Sequence, residues 1–389
     1  MTTGIARLLA DAGALPQGWE NAFATVHRAD FLPARFWAWH SDSGYTPAID
    51  RNATGEHGRQ AWDRAADEDL ALVTQWDDGD HSGADPGNNP TSSASAPAAV
   101  ARMLDALDIR GGESVLEVGT GTGYTAALLA VRGCRVTTIE VDPEVAEQAR
   151  KNLAQAGHAD VTVITGDGAL GHPDRGPYDR VHVTAGVRHT PRAWIEQTRP
   201  GGLVVMPWGT YYAAADWTTV LTVHDPRRAS GRFTDPLAFM KLRDQRATWP
   251  RTSFPDQWID SARESTPDID VADITGTLYD PVEFVIGLHV PDCVPRRLED
   301  DESVNLWLYG RDVGAGDSIA VAAFGDGYTP QALQAGPRDL WSEVQTAYRR
   351  WSDAGKPDVG RFGLTVTITG DDVDQIPWFE RPENRLKRQ

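Results

Sequence analysis

The sequence predicts an α/β fold built on a Rossmann-like parallel sheet, followed by a smaller α+β unit. Three observations carry this. Apolar runs alternate with amphipathic stretches from residue 97 to about 208, and a glycine-rich turn, VLEVGTGTGY at 115–124, joins the first run to a helix. Acids also recur along successive runs, at Glu117, Glu140 and Asp167. Nearly continuous apolar strands separated by helices form a parallel sheet covered on both faces.

The elements follow in order. GIARLLADAG and GWENAFATVHRADFLP read as two short amphipathic helices ended by Pro33. Residues 40–90 are rich in Gly, Asp and Asn and read as irregular, apart from DLALVTQW. A helix over 97–108 then leads to strand SVLEVG, helix YTAALLAVRG, strand RVTTIEVD, helix PEVAEQARKNLAQAG and strand VTVITGD. Strand RVHVTAG, helix PRAWIEQTRPGG and strand LVVMPWG complete the alternation, and WTTVLTVHD and PLAFMKLRD read as edge strands. Residues 246–275 are Pro-rich and poorly patterned and read as a linker between a domain at 1–245 and an extension at 276–389. The extension reads as strands VEFVIGLHV, VNLWLYG and SIAVAAFG, helix RDLWSEVQTAYRRWSDAG and strand RFGLTVTIT, with Trp307, Trp341 and Trp351 as core.

The bulk composition bounds the function. With 389 residues, 40% of them hydrophobic, the chain can bury a sizeable core. A net charge of −19 argues against nucleic acid, whose phosphates need clustered Lys and Arg. No apolar stretch is long enough to span a bilayer and no signal peptide is evident, so no membrane partner is expected. Two separate cysteines, Cys134 and Cys293, give no disulfide framework, which points to a cytoplasmic protein.

Gly119, Gly121 and Gly123 permit positive φ and close backbone approach to a ligand. Their spacing is G-x-G-x-G rather than the G-x-G-x-x-G of dinucleotide enzymes. Glu117 ahead of them would repel a pyrophosphate but suits an amino group and a sulfonium, so the expected cofactor is S-adenosylmethionine. Glu140 stands twenty-one residues after Gly119 at a strand end, where an acid can hold both ribose hydroxyls. Asp167 and Gly168 end the third strand, where a carboxylate and a backbone N–H can meet an adenine. Singly, each acid could be a helix N-cap or a turn residue; three together at the carboxyl ends of parallel strands read as a ligand site. Asp77, Asp78, Asp80, His81 and Asp85 lack the spacing of a calcium or zinc site, so no metal is expected and the segment reads as a loop over a cleft. His182, inside an apolar strand, reads as a core residue.

The order SAP, VLEVGTGTGY, IEVD, GDG, PYDRVHVTAG, RPGGLVVMPWG resembles the protein-L-isoaspartate O-methyltransferases over roughly residues 1–245. That resemblance implies a class I methyltransferase fold, with the S-x-P serine, Ser95, beside the transferred methyl and in contact with the substrate carboxylate. Ser93 would line the cofactor pocket. Many members carry a histidine shortly after the proline, where this chain has Ala98-Ala99-Val100. The long acidic loop, the extension, VTQWDDG, FMKLR and RFGLTVT resemble the branch that modifies ribosomally made peptides, paired with lanthipeptide or graspetide ring-forming enzymes. The partner implied is a peptide carrying Asp or isoAsp, methylated and then closed to aspartimide or isoaspartate. A general isoaspartyl repair enzyme is the alternative, and a catalytically idle scaffold runs against the intact loop, Glu140, Asp167 and Ser95.

Overall fold

The computed structural model describes residues 4–246, 261–311, 318–325, 327 and 329–386. Helices α1 (Gly4–Asp11) and α2 (Glu20–Thr25) bury Ile5, Leu9 and Phe23 against the helices on either side of the glycine turn. Residues 40–90, expected to be irregular apart from DLALVTQW, instead contribute most of a small antiparallel sheet, in which DLALVTQW supplies one strand. It comprises β1 (Arg35–His40), β2 (Gly44–Tyr45), β3 (Ile49–Asp50), β4 (Ala71–Trp76) and β5 (Pro90–Ala94), with α3 (Arg59–Ala66) beside it. The sequence hides it because both faces of β1 are covered. Phe36 packs with Trp62 of α3, while Trp37 meets Trp76 on the other side, so no polar alternation marks the strand.

Helix α4 (Pro97–Ala106) then feeds the central sheet. Its parallel half is β6 (Ser114–Val118), β7 (Arg135–Glu140), β8 (Thr162–Thr165), β9 (Tyr178–Val183) and β10 (Thr198–Trp208), separated by α5 (Tyr124–Val131), α6 (Pro143–Gln155) and α7 (Arg192–Glu196). α6 starts where Pro143 follows the N-cap Asp142, whose carboxylate accepts from Glu144 N at 3.0 Å and Val145 N at 3.1 Å. α7 is shorter than expected, because Thr198 and the Arg199–Gly202 stretch join β10. The antiparallel half begins with β11 (Asp216–Asp225) and β12 (Arg228–Leu237). The rest of PLAFMKLRD is not a strand: Phe239 and Met240 pack into two different apolar clusters, and only Lys241 bridges to Gly186.

The linker expected at 246–275 includes 247–260, which lie outside the described residues. β13 (Arg263–Ser265) and α8 (Val271–Ile274) fall in its remainder. VEFVIGLHV, expected as a strand, is α9 (Pro281–His289), entered through Pro281 with the Asp280 carboxylate accepting from Val282 N at 3.0 Å. Its run is apolar all round because Phe284 meets Trp208, Trp217 and Phe233 of the central sheet while the helix also packs on α10 (Leu340–Asp353). Short apolar runs buried on every side do not distinguish helix from strand. β14 (Cys293–Glu299), β15 (Ser303–Gly310), β16 (Ile319–Gly325) and β17 (Gln331–Ala335) form, with β13, a second antiparallel sheet. Trp341 and Trp351 are buried and Trp307 is partly so.

β18 (Phe362–Thr369) and β19 (Asp372–Phe379) return to the central sheet, giving the order β19-β18-β12-β11-β10-β9-β6-β7-β8. The extension is therefore not a self-contained unit from residue 276. Its last two strands belong to the central sheet, and one apolar core runs from Leu116 and Val181 through Phe284 to Trp341 and Leu364.

Candidate active site

A cleft of about 880 Å³ opens at the carboxyl ends of β6, β7 and β8, in the size range of small-molecule sites. One wall is β5. The hydroxyls of PTSSASAP differ in what they bond. Thr91 Oγ1 donates to Gln75 Oε1 at 2.8 Å and accepts from Asp78 N at 3.2 Å, and Ser92 Oγ accepts from Thr74 Oγ1 at 3.2 Å. Ser93 and Ser95 are half-buried, line the cleft, and carry no protein hydrogen bond on their hydroxyls among the described residues.

The opposite wall is the glycine turn. Gly119, Gly121 and Gly123 have φ of 95°, 52° and 88°, the left-handed region that glycine occupies without strain. A Cβ on Gly121 would stand 3.3 Å from Ser93 O, so the turn lies against the serine strand through a bare Cα. Gly121 N and Asp142 N donate to the two oxygens of Glu140 at 2.9 and 3.2 Å, leaving lone pairs on each for further donors. Burial raises the Glu140 pKa above the usual carboxylate range, against those two bonds. Asp167 caps the turn after β8 by accepting from Ala169 N at 2.9 Å through Oδ1, while Gly168 O accepts from Trp194 Nε1 at 2.8 Å. Asp167 and Gly168 both line the cleft. Glu140 for a ribose, Asp167–Gly168 for an adenine and a glycine turn admitting close approach together fit S-adenosylmethionine.

Glu117 departs from expectation. Its carboxylate is 0% exposed and does not line the cleft. In β6 it stands in register with Thr138 of β7 and His182 of β9, so three side chains form a row across the sheet interior. Thr138 Oγ1 donates to Glu117 Oε2 at 2.7 Å and shares a 2.7 Å bond with Thr120 Oγ1 of the turn, while His182 Nδ1 lies 3.8 Å from Glu117 Oε1. Strand alternation turns Glu117 away from the ligand side; it supports the turn from behind. His182 is buried, as expected of a core histidine, with this carboxylate as its neighbour.

The acidic loop is organised by its own acids. Asp77 accepts from Asn88 N at 3.0 Å and Asn89 N at 2.7 Å, and His81 Nε2 lies 2.7 Å from Asp85 O. Asp78 pairs with Arg246 at 2.8 Å and Arg243 at 3.1 Å, which tethers the loop to the far side of the cleft.

Sequence reasoning missed several cleft residues. Leu278 and Tyr279 of the extension line it, as do Trp39 and Tyr45 of the small sheet. Lys241 lines it too, paired with the buried Asp216. Arg28, buried beneath the serine strand, donates to the carbonyls of Ala94 and Ser95. The motifs RADFLP and FMKLR carried two of these residues, but nothing local showed their contacts.

A model of the protein-L-isoaspartate(D-aspartate) O-methyltransferase family matches residues 81–231, which hold Ser93, Ser95, the glycine turn, Glu140 and Asp167. The protein-L-isoaspartate O-methyltransferase of Pyrococcus horikoshii is 47% identical over 131 residues, 33% of this chain and 58% of that protein. Its counterpart in Methanothrix thermoacetophila is 45% identical over 148 residues, 37% of this chain and 70% of that protein. The chain thus spans less than two thirds of the first relative and more than two thirds of the second. A solved structure described as a protein-L-isoaspartate O-methyltransferase shares the fold, with a TM-score of 0.51 at 21% identity over 95% of this chain and 98% of the other.

Proposed function

The chain belongs to the protein-L-isoaspartate O-methyltransferase family, and on that premise we propose that it transfers the methyl group of S-adenosylmethionine to the carboxylate of an isoaspartyl or aspartyl residue in a peptide or protein. The observation that supports this best is the pair of hydroxyls on Ser93 and Ser95, without protein partners among the described residues, facing the glycine turn across one cleft.

The chemistry asks for alignment more than for activation. A carboxylate is ionised at neutral pH, and the cofactor supplies a methyl already activated on a sulfonium. The Ser95 hydroxyl donates to one carboxylate oxygen and turns the other toward the methyl; such placement is worth several kcal/mol of barrier. Being neutral, the hydroxyl does little to stabilise the ionised ground state. Glu140 and Asp167 hold the cofactor's ribose and adenine. After release, the next residue's backbone nitrogen attacks the ester carbonyl. A C–N bond forms, the C–O bond breaks, and methanol leaves with the amide proton, giving a succinimide.

A narrower reading is that the substrate is a ribosomally made peptide already closed into a ring by a partner enzyme, with the imide or isoaspartate as the intended product. Leu278 and Tyr279 favour it, because the extension thereby forms part of the cleft wall and offers an aromatic and an aliphatic side chain to a bulky peptide. No helix among the described residues is long and apolar enough to cross a membrane, and both cysteines are buried free thiols; a cytoplasmic location forms part of this reading.

The test is methyl transfer followed by mass spectrometry, with a linear isoaspartyl peptide and a macrocyclic Asp-bearing peptide as acceptors. Gain of one methyl on either supports the carboxyl methyltransferase. Preference for the linear peptide removes the narrower reading, and no gain on either, with no cofactor binding by calorimetry, removes both.

A further inference from the structure

Lys241 lies in the same cleft as Ser95, with a side chain only 12% exposed. Its ammonium is ion-paired with Asp216, whose side chain is 1% exposed. The pair is built in by backbone on both sides. Gly186 N donates to Met240 O at 2.8 Å and Leu242 N donates to Gly186 O at 3.0 Å, which pins Lys241 beside the segment that follows β9. A Cβ on Gly186 would come within 2.5 Å of Asp216 Oδ2 and 2.7 Å of Lys241 Nζ, and one on Gly209 would overlap Asp216 Oδ1. Two glycines therefore make room for this one pair. Two residues before Gly186, Thr184 Oγ1 donates to Gly119 O at 2.5 Å, so the same segment touches the glycine turn. Asp216 Oδ2 has no hydrogen-bond partner among the described residues.

Burying an ion pair is seldom a gain in stability over apolar packing, so a pair whose cation faces a cleft calls for a functional account. An ammonium carries three donors, and Asp216 is the only carboxylate paired with it among the described residues. We propose that Lys241 selects the substrate by its charge, holding the carboxylate of the incoming peptide and releasing the neutral methyl ester. This rests on the methyl-transfer reading above and adds a specificity residue to it. The charge that Lys241 recognises is the one the reaction removes. Its interaction is therefore strongest with substrate, weaker in the transition state and weakest with product, so it lowers KM and speeds exchange of ester for acid without raising kcat. Asp216 compensates the ammonium, so that the site does not repel the cofactor's sulfonium.

The test compares binding of a short isoaspartyl peptide, its methyl ester and the matching Asn peptide, by calorimetry in the presence of S-adenosylhomocysteine, for wild type, Lys241→Met and Lys241→Arg. Wild type should prefer the acid by about 10- to 100-fold, the range of a charge-assisted hydrogen bond. Lys241→Met should lose that preference and raise KM by the same factor, with kcat within about threefold and S-adenosylhomocysteine affinity unchanged; Lys241→Arg should keep the preference. A folded Lys241→Met that still prefers the acid overturns the proposal. Should Lys241→Met not fold, Asp216→Asn serves instead: freeing the ammonium of its counter-charge should tighten acid binding, and an unchanged acid-to-ester ratio overturns the proposal. Wild type that prefers the acid but transfers no methyl would remove the methyl-transfer reading and leave the selective site standing; wild type that transfers methyl without preferring acid to ester would do the reverse.

Discussion

The Arg28 guanidinium donates to the carbonyl of Ser95 at 3.1 Å, joining residues 67 positions apart. It also donates to Ala94 O at 3.0 Å and Leu70 O at 2.7 Å, with Glu68 O and Ala66 O at 3.3 and 3.5 Å. The side chain is 2% exposed, and burial pulls its pKa down to about 10. No carboxylate forms an ion pair with it among the described residues. Its charge is dispersed over carbonyls that fix the end of the serine strand, which makes Arg28 a positioning residue for Ser95.

Arg28→Met should leave that cage of carbonyls unsatisfied and cost on the order of 2–5 kcal/mol of stability, read in urea melts. Measured where the variant is still folded, kcat should also fall while cofactor affinity holds. Arg28→Lys, retaining charge and some donors, should recover part of both losses. Loss of stability with unchanged kcat would make Arg28 purely structural.

Glu140 is the residue whose loss should be felt in the cofactor alone. Glu140→Gln keeps the shape but weakens charge-assisted bonds to the ribose, so cofactor affinity should drop about 10- to 100-fold with peptide KM little changed, by calorimetry and initial rates. Burial raises its pKa, so it takes up a proton at a higher pH than a surface carboxylate. Cofactor affinity should therefore fall on acidification before ordinary carboxylates titrate. The stability contribution has the opposite sign. With the folded pKa above the unfolded one, protonation of this group stabilises the fold below the unfolded pKa, and that contribution is lost as pH rises through the folded pKa. Acid-weakened binding should thus not come from unfolding through Glu140.

The three glycines, Glu140, Asp167 and Gly168 could be placed at the cleft from sequence, because strand ends and a strand-to-helix turn are local patterns; Ser93 and Ser95 could be placed there only through the family resemblance. Glu117 could not. Its strand was legible, but the face it presents depends on β6 lying between β7 and β9, which sets Thr138 and His182 beside it. α9 was misread for the same reason: contact with the central sheet on one side and α10 on the other removes the polar face that marks a helix. Lys241 and Tyr279 reach the cleft, and Arg28 the carbonyls of the serine strand, from distant segments, and only the assembled fold shows them there. That β18 and β19 rejoin the catalytic sheet was likewise invisible, since RFGLTVTIT names a strand without naming its neighbour.

Gln375 of β19 shows what that rejoining does. Its Oε1 accepts from Thr190 N and Thr190 Oγ1, both at 2.7 Å, and its Nε2 donates to Arg188 O at 2.9 Å. Gln245 grips the same loop by accepting from Arg188 N at 2.7 Å and His189 N at 3.0 Å. Gln375→Ala should leave buried groups of the loop after β9 unpaired, lowering stability by about 1–3 kcal/mol and raising peptide KM several-fold, with cofactor affinity unchanged. Gln375→Glu, which keeps the acceptor but loses the donor, should fall between. Unaltered KM in Gln375→Ala would confine the extension's last strand to stability.

The hydroxyls of PTSSASAP provide an internal control for the catalytic assignment. All four line the cleft, but the hydroxyls of Thr91 and Ser92 are bonded to β4 and its following turn while those of Ser93 and Ser95 carry no protein hydrogen bond among the described residues, so the four substitutions to Ala should separate. Ser95→Ala removes the donor that orients the carboxylate, and kcat should fall about 10- to 100-fold, the scale expected for loss of one positioning contact, with cofactor affinity held within about tenfold. Ser93→Ala should act mainly on cofactor affinity. Thr91→Ala and Ser92→Ala should shift the melting temperature slightly and leave kcat within about twofold, because those hydroxyls are already engaged by Gln75 and Thr74 of β4. A Ser95→Ala variant with wild-type kcat would remove Ser95 from the reaction. If Ser92→Ala instead carried the loss, the hydroxyl that meets the substrate would be that of Ser92, which lines the same cleft and lies 4.0 Å from where a Cβ on Gly121 would stand.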